Sequence, residues 1–145
     1  FLGDHVLFDI SPNIVLWTWE DDALGEYLKS LLAVQELPVK TALPAHRTAG
    51  SIPLAARAEE LINHHQRRIE ELSAIVRGWP GLTCYEVAAR MKWSIRAASW
   101  DDFPPSQKYF AVCECMAHLQ HMCCSGLAER RTDANSVMRY YAKGK

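Results

Sequence analysis

The stretch Val39-Lys-Thr-Ala-Leu-Pro-Ala-His-Arg-Thr-Ala-Gly50 is the part of the chain on which the reading of the fold turns. Val39 to Leu43 is a β-prone run that halts at Pro44, and His46 follows in a segment rich in turn residues. A strand that ends this way either presents an ordinary polar loop residue or aims an imidazole at a partner. The second option needs a companion elsewhere. Asp4 is the candidate, because it follows Gly3 at the close of Phe1-Leu-Gly-Asp4, which reads as the tail of a strand already under way, ahead of a second β-prone run, His5 to Ile10, that the turn-forming Ser11-Pro12-Asn13 stops. One sheet can bring two such strand ends together. A carboxylate and an imidazole suit zinc or a similar divalent metal, but a catalytic zinc takes about three protein ligands plus water, so two residues alone leave the question open.

Between the two runs, Asp21 or Asp22 can N-cap a helix over roughly 23–37, with Leu24, Tyr27, Leu28, Leu31 and Val34 as its apolar stripe and Pro38 as its stop. Strand, helix, strand is the order of an α/β layer. A longer helix is expected near 54–77, carrying Leu54, Ala58, Leu61, Ile62, His65, Ile69, Leu72 and Val76 at three- and four-residue steps. Gly78, Pro80 and Gly81 end it, and a domain boundary is placed near residue 80.

Beyond that boundary, Thr83 and Glu86 have the spacing of a capping box, opening a short helix with Cys84, Val87, Ala88 and Met91 on one face. A further helix starts near Pro105, with Tyr109, Val112, Met116, Leu119 and Cys123 expected inward and Gly126 as its C-cap. Leu127–Arg131, the turn Thr132–Asn135 and Ser136–Ala142 read as a β-hairpin. Helices followed by a hairpin make a winged-helix-like α+β layout over 81–145.

Composition narrows the function classes. The 145 residues are 49% hydrophobic, with 16 basic and 17 acidic side chains and a net charge of -1, so the balance recommends neither nucleic acid nor a membrane surface. No apolar run approaches the roughly 20 residues needed to span a bilayer. The five cysteines are an odd number, and Cys113, Cys115, Cys123 and Cys124 crowd into one expected helix, which suits a reducing compartment better than a disulfide framework. A cytoplasmic location follows, with a mitochondrial one left open.

Taken in order, Gly3-Asp4-His5-Val-Leu-Phe-Asp-Ile-Ser-Pro-Asn-Ile14, Leu24-Gly-Glu-Tyr-Leu-Lys-Ser-Leu31, Ala42-Leu-Pro-Ala-His46, the long helix with His64-His65 and Leu82-Thr-Cys-Tyr-Glu-Val-Ala-Ala-Arg-Met91 resemble the C-terminal half of metallo-β-lactamase superfamily hydrolases. The branch most similar carries an appended winged-helix domain and includes mitochondrial endoribonuclease-type members. The resemblance implies an α/β fragment of an αββα sandwich over residues 1–80, followed by the winged-helix-like domain. It implies Asp4 as the carboxylate bridging two metals, His46 as a ligand of the second, and a metal-bound hydroxide attacking an ester, thioester or phosphodiester. Small molecules or RNA would be the substrates of the parent protein.

The signature His-x-His-x-Asp-His is absent from the chain, as is a separate histidine upstream of Asp4, and Phe1 stands where a methionine would start a protein. A C-terminal fragment, inactive alone and prone to self-association through its truncated sheet, is the expectation. The family's loop histidine is usually flanked by glycines, whereas Ala45 and Arg47 flank it here.

Other candidates have plainer readings beside the functional ones. His5 is either a group near the metals or a strand residue, and Ser11-Pro12-Asn13 either lines the pocket mouth or is a plain turn. His64 and His65 lie about 100° apart on a helix and cannot chelate together. Cys113, Cys115, His118, His121, Cys123 and Cys124 lack the C-x₂-C turns of structural zinc sites and read as packing. Arg130, Arg131, Arg139, Lys143 and Lys145 form either a phosphate-contacting wing or a solvated hairpin. The competing class is therefore a stand-alone winged-helix module that binds nucleic acid or protein.

Overall fold

The computed structural model describes residues 1–50 and 52–144. In chain order the elements are α1 (Ala23–Gln35), α2 (Leu54–Gly78), α3 (Cys84–Ala88), α4 (Pro105–Cys124), β1 (Ala128–Thr132) and β2 (Met138–Ala142). Lys145 of the expected basic wing lies outside the described residues.

The helices start and stop for local reasons. Asp22 caps α1 by accepting from the Gly25 amide at 2.9 Å, and a Cβ on Gly25 would press on the Asp22 carboxylate, so a larger residue there would require the capping side chain to shift. Thr83 and Glu86 form the full capping box of α3, with Thr83 accepting from the Glu86 amide and Glu86 accepting from the Thr83 amide at 2.8 Å. At the end of α4, Gly126 takes φ +76°. The Leu127 amide then bonds the Met122 carbonyl and the Gly126 amide the Cys123 carbonyl, the two bonds of a Schellman stop.

The two β-prone runs behave differently from expectation. Neither His5–Ile10 nor Val39–Leu43 forms a regular strand; they meet through a single parallel bridge, Gly3 with Pro44. For His5–Ile10 the reason lies in how the backbone is satisfied. Val6 and Leu7 are both buried, which breaks the alternation of a strand. The carbonyls of Leu7 and Ile10 accept from the Arg57 guanidinium of α2, at 2.7 and 3.0 Å, in place of a neighbouring strand.

The hairpin forms as expected: β1 and β2 pair antiparallel with Arg130 opposite Tyr140, and Leu82 adds one further bridge to Tyr140. The expected inward face of α4 needs correction. Leu119 is fully buried and Val112 and Cys123 pack partly against the core, but Met116 is only half-buried and Tyr109 is exposed. Helices α1, α2 and α3 and strand β1 all pack on α4, so its middle is buried nearly all round: Cys113, Cys115, Ala117, His118, Leu119, Gln120 and Met122 are inside. The small side chains among them let four neighbours approach. One hydrophobic core results, running from Val6 and Leu24 through Leu61, Leu72 and Val76 to Val87, Leu119 and Tyr140.

Candidate functional site

The Gly3–Pro44 bridge sets the geometry of the polar corner. The Leu2 amide bonds the Leu43 carbonyl and the Ala45 amide bonds the Gly3 carbonyl, each at 2.9 Å, so Asp4 and His46 leave neighbouring segments side by side. His46 Nε2 lies 3.1 Å from Asp4 Oδ1, and the two side chains are 64% and 66% exposed. Gly3 takes φ +56° and Arg47 φ +61° on either side of the pair. The second value explains why a glycine is usual after the loop histidine: the backbone there is left-handed, and Arg47 adopts it at a steric cost of about 1–2 kcal/mol.

Behind Asp4, helix α1 fixes the corner. Tyr27 donates its hydroxyl to the His5 carbonyl at 2.9 Å, and its burial raises the phenol pKa to about 12, Arg57 opposing. The His5 ring stands edge-on to Tyr27 and its Nε2 lies 3.0 Å from Ser30 Oγ, while burial lowers its pKa. His5 is thus engaged by α1. Sequence reasoning missed both Tyr27 and Ser30 as partners, since Tyr27 reads as one more residue of the apolar stripe.

Asp4 and His46 open onto a cavity of about 770 Å³ whose wall includes His5, Ser11, Pro12, Asn13, Tyr27 and, from the other end of the chain, Phe110 of α4. The turn after the first β-prone run therefore does line this cavity. A second cavity of about 560 Å³ shares Ile10, Ser11, Asn13 and Phe110 with the first and extends toward His64, Arg68, Lys92 and Trp93. Arg68 is committed there: it bonds Glu114 and Glu71 at 3.0 Å and the Lys92 carbonyl at 2.7 Å, and stacks on Trp93 at 4.1 Å.

The remaining candidates are brought together for structural ends. His65 is buried beside Tyr27, and its Nδ1 lies 3.0 Å from His118 Nε2. His118 Nδ1 lies 2.7 Å from the Glu114 carbonyl, which can only accept. This fixes both tautomers: His118 donates from Nδ1, and its bare Nε2 accepts from His65 Nδ1–H. Burial lowers the two pKa values to about 4 for His118 and about 3 for His65, so both rings are neutral at physiological pH. His121 Nδ1 is 3.0 Å from the Asp22 carboxylate that caps α1. The cysteines are free thiols; burial raises the pKa of Cys115 and Cys123. Among the described residues no group of three or more His, Cys, Asp or Glu is arranged to hold a metal.

The wing arginines are also committed. Arg130 bonds Gln120 at 2.6 Å and the Trp19 carbonyl and stacks on Trp19; Arg131 pairs with Glu129 and stacks on Tyr141; Arg139 pairs with Asp133 at 2.6 Å and bonds the Gly81 carbonyl. Each of the three has a partner within the protein, and the Arg131 side chain stays 64% exposed.

An exposed carboxylate–imidazole pair on two loop segments joined by one bridge, backed by helix α1, defines a loop-borne polar site. The family model described as metallo-beta-lactamase-like, C-terminal domain, matches residues 101–143, which is α4 and the hairpin. Among solved structures, a beta-lactamase domain protein from Burkholderia ambifaria superposes with a TM-score of 0.78 and 26% identity, covering 97% of this chain and 40% of that one. A metallo-beta-lactamase family protein from Thermus thermophilus superposes with a TM-score of 0.74 and 30% identity, again covering 97% of this chain and 40% of that one. No curated protein sequence matches the chain. These likenesses support membership of the metallo-β-lactamase superfamily, and the chain spans 40% of the length of these two relatives. No helix among the described residues is long and apolar enough to cross a membrane.

Proposed function

We propose that this chain forms the C-terminal part of a metal-dependent hydrolase, with Asp4 and His46 as two ligands of a dinuclear site for zinc or a similar divalent metal. The observation that carries the reading is the 3.1 Å approach of His46 Nε2 to Asp4 Oδ1 at the mouth of a cavity. The donor set fits: an exposed carboxylate with two oxygens can bridge two ions, and imidazole nitrogen is a common zinc ligand. It is incomplete, since each catalytic zinc takes about three protein ligands. When bound, the metal supplies Lewis acidity and lowers the pKa of water toward about 7. The work of this chain's own residues is positional. Tyr27 and Ser30 hold the corner that carries Asp4, and Arg57 holds the Leu7–Ile10 turns that wall the cavity.

In this reading residues 1–80 belong to the metallo-β-lactamase-like domain and 81–145 to a winged-helix-like domain whose helix α4 borders the entrance. Substrates are small esters, thioesters or phosphodiesters, RNA included. The committed wing arginines weigh against the competing reading as a nucleic-acid module.

The test is made on the gene product that contains this chain. Elemental analysis by inductively coupled plasma mass spectrometry is expected to find about two zinc-type ions per protein, reduced by Asp4→Ala and by His46→Ala, with turnover on ester and phosphodiester substrates lost in parallel. Full metal content and full turnover in both variants would overturn the assignment.

A further inference from the structure

The cysteines take no part in the site described above, and two of them meet across the fold. We propose that Cys84 and Cys115 are a reversible thiol-oxidation site, whose disulfide, formed by hydrogen peroxide, draws α3 onto α4 and shifts Trp93.

Placement singles out this pair. Cys113, Cys115, Cys123 and Cys124 all belong to α4. Residues two apart on a helix do not face each other, and eight residues span about 12 Å of its axis, so Cys115 has no partner on its own helix. Cys84 comes from α3. Its Sγ lies 3.6 Å from the Val112 carbonyl, one turn before Cys115, and the Cys115 Sγ lies 3.6 Å from the Cys84 carbonyl. Two thiols 31 residues apart in sequence are thereby laid against the same contact.

Access divides the roles. Cys84 is partly exposed, whereas Cys115 is buried. Burial, with the Cys84 thiol beside it, raises the Cys115 pKa well above the ordinary range, so Cys115 stays a thiol and is shielded from oxidant. Cys84 therefore reacts first. Its thiolate attacks one oxygen of the peroxide, the O–O bond breaks, and the released hydroxide takes a proton and leaves as water; Cys84 is then a sulfenic acid. The Cys115 sulfur next attacks the Cys84 sulfur. The S–O bond breaks, and the departing hydroxide leaves as water with the Cys115 proton. Two thiols are oxidised and both peroxide oxygens end as water. Exchange with a pool of small thiols returns the pair to the reduced state, as suits a transient disulfide in a reducing compartment.

Helix α3 is the element that yields. A disulfide holds its sulfurs about 2.05 Å apart, closer than two unbonded thiols can stand. α4 is held by α1, α2, α3 and β1, whereas α3 has only five residues. Trp93 donates its indole N–H to the Ala88 carbonyl at the end of α3, at 2.8 Å, and its ring carries Arg68 at 4.1 Å. Closure of the disulfide is passed in this way to a wall of the second cavity.

The gene product that contains this chain is treated with hydrogen peroxide, its remaining thiols are alkylated, and its peptides are mapped by mass spectrometry without reduction. The expected product is a Cys84–Cys115 cross-linked peptide, lighter by two hydrogen atoms than its parts and lost on reduction with dithiothreitol. Cys124, which is exposed, serves as the control for oxidant dose. In Cys115→Ala, Cys84 should stop at the sulfenic acid and be trapped by dimedone; in Cys84→Ala, Cys115 should remain a thiol. The map of the parent protein decides even where a variant fails to fold. In ¹⁵N-labelled protein, the Trp93 indole resonance, assigned from Trp93→Phe, should shift on oxidation and return on reduction. Cys84 and Cys115 both remaining thiols at a dose that oxidises Cys124, or Cys84 cross-linked to Cys123 or Cys124 instead, would overturn the pair. Oxidation of Cys115 in Cys84→Ala would overturn the order of events, and a cross-link that leaves the Trp93 resonance in place would overturn the movement of α3.

Discussion

Helix α4 with its hairpin and the Asp4–His46 corner are built on opposite terms. In the first region the polar groups have found partners inside the protein. Gln120 donates to the Trp19 and Asp21 carbonyls and accepts from Arg130, His118 is held between His65 and Glu114, and Arg139 is held by Asp133. In the second, a carboxylate and an imidazole pair with each other and have no other side-chain hydrogen-bond partner among the described residues, largely in solvent, on two segments joined by one bridge. A region whose hydrogen-bonding capacity is used up internally holds shape; a region with capacity left over can act on something else. The comparison predicts that stability and ligand chemistry separate along the chain.

The largest effect is expected in the core. Leu119→Ala removes a fully buried side chain from the helix on which α1, α2, α3 and β1 converge, and should destabilise by about 2–5 kcal/mol in equilibrium denaturation. A loss below about 1 kcal/mol would mean that the α4 region is loosely packed and the contrast is wrong.

Acid should act on the same region. His65 and His118 have folded pKa values lowered to about 3 and about 4, against an ordinary 6.5, so between those limits the unfolded chain binds more protons than the folded one. Stability is therefore full above pH 6.5 and is lost as pH falls toward 4, with a slope approaching about 1.4 kcal/mol per pH unit for each ring. Denaturation midpoints measured from pH 7 to pH 4.5 check this. His118→Gln, which breaks the pair, should flatten the dependence; a flat profile in the parent chain would show the rings to be less enclosed than their burial indicates.

How much of this was legible beforehand follows the same division. The helix ends were readable because their signals are local: Asp22, the Thr83–Glu86 box and Gly126 each act within four residues. The juxtaposition of Asp4 and His46 was legible as two similar strand ends, and the resemblance to a known family added their expected roles. The two strands themselves were misjudged, because a β-prone run becomes a strand only with a partner; in the first of them Arg57, some fifty residues on, takes the Leu7 and Ile10 carbonyls instead. The inward face of α4 was misjudged because periodicity assumes one buried side. The His65–His118 pair, the Gln120 tether and the reach of Phe110 into the cavity had no local signal; each depends on how distant elements meet.

Arg47 offers a smaller and opposite effect. It holds φ +61° beside His46, where glycine is free of the Cβ penalty. Arg47→Gly relieves that strain and loosens the unfolded chain, two terms of opposite sign, so the net gain should be below about 1 kcal/mol. Thermal denaturation of the variant checks it, and a loss exceeding about 1 kcal/mol would show that the Arg47 side chain is holding the loop.

The smallest effect is expected where function is proposed. Asp4→Asn and His46→Gln each remove one member of a pair that is about two-thirds exposed, and exposed pairs of this kind contribute roughly 0–1 kcal/mol. Neither change buries an unsatisfied group, and the bridge that sets the corner runs through backbone atoms of Leu2, Gly3, Leu43 and Ala45. Both variants should therefore melt within a few degrees of the parent. That near-silence is the sharpest form of the comparison, because it distinguishes a corner kept for chemistry from one kept for folding. Destabilisation by several kcal/mol in either variant would place Asp4 and His46 with the internally committed residues of the α4 region, and their exposure to a metal would then need another explanation.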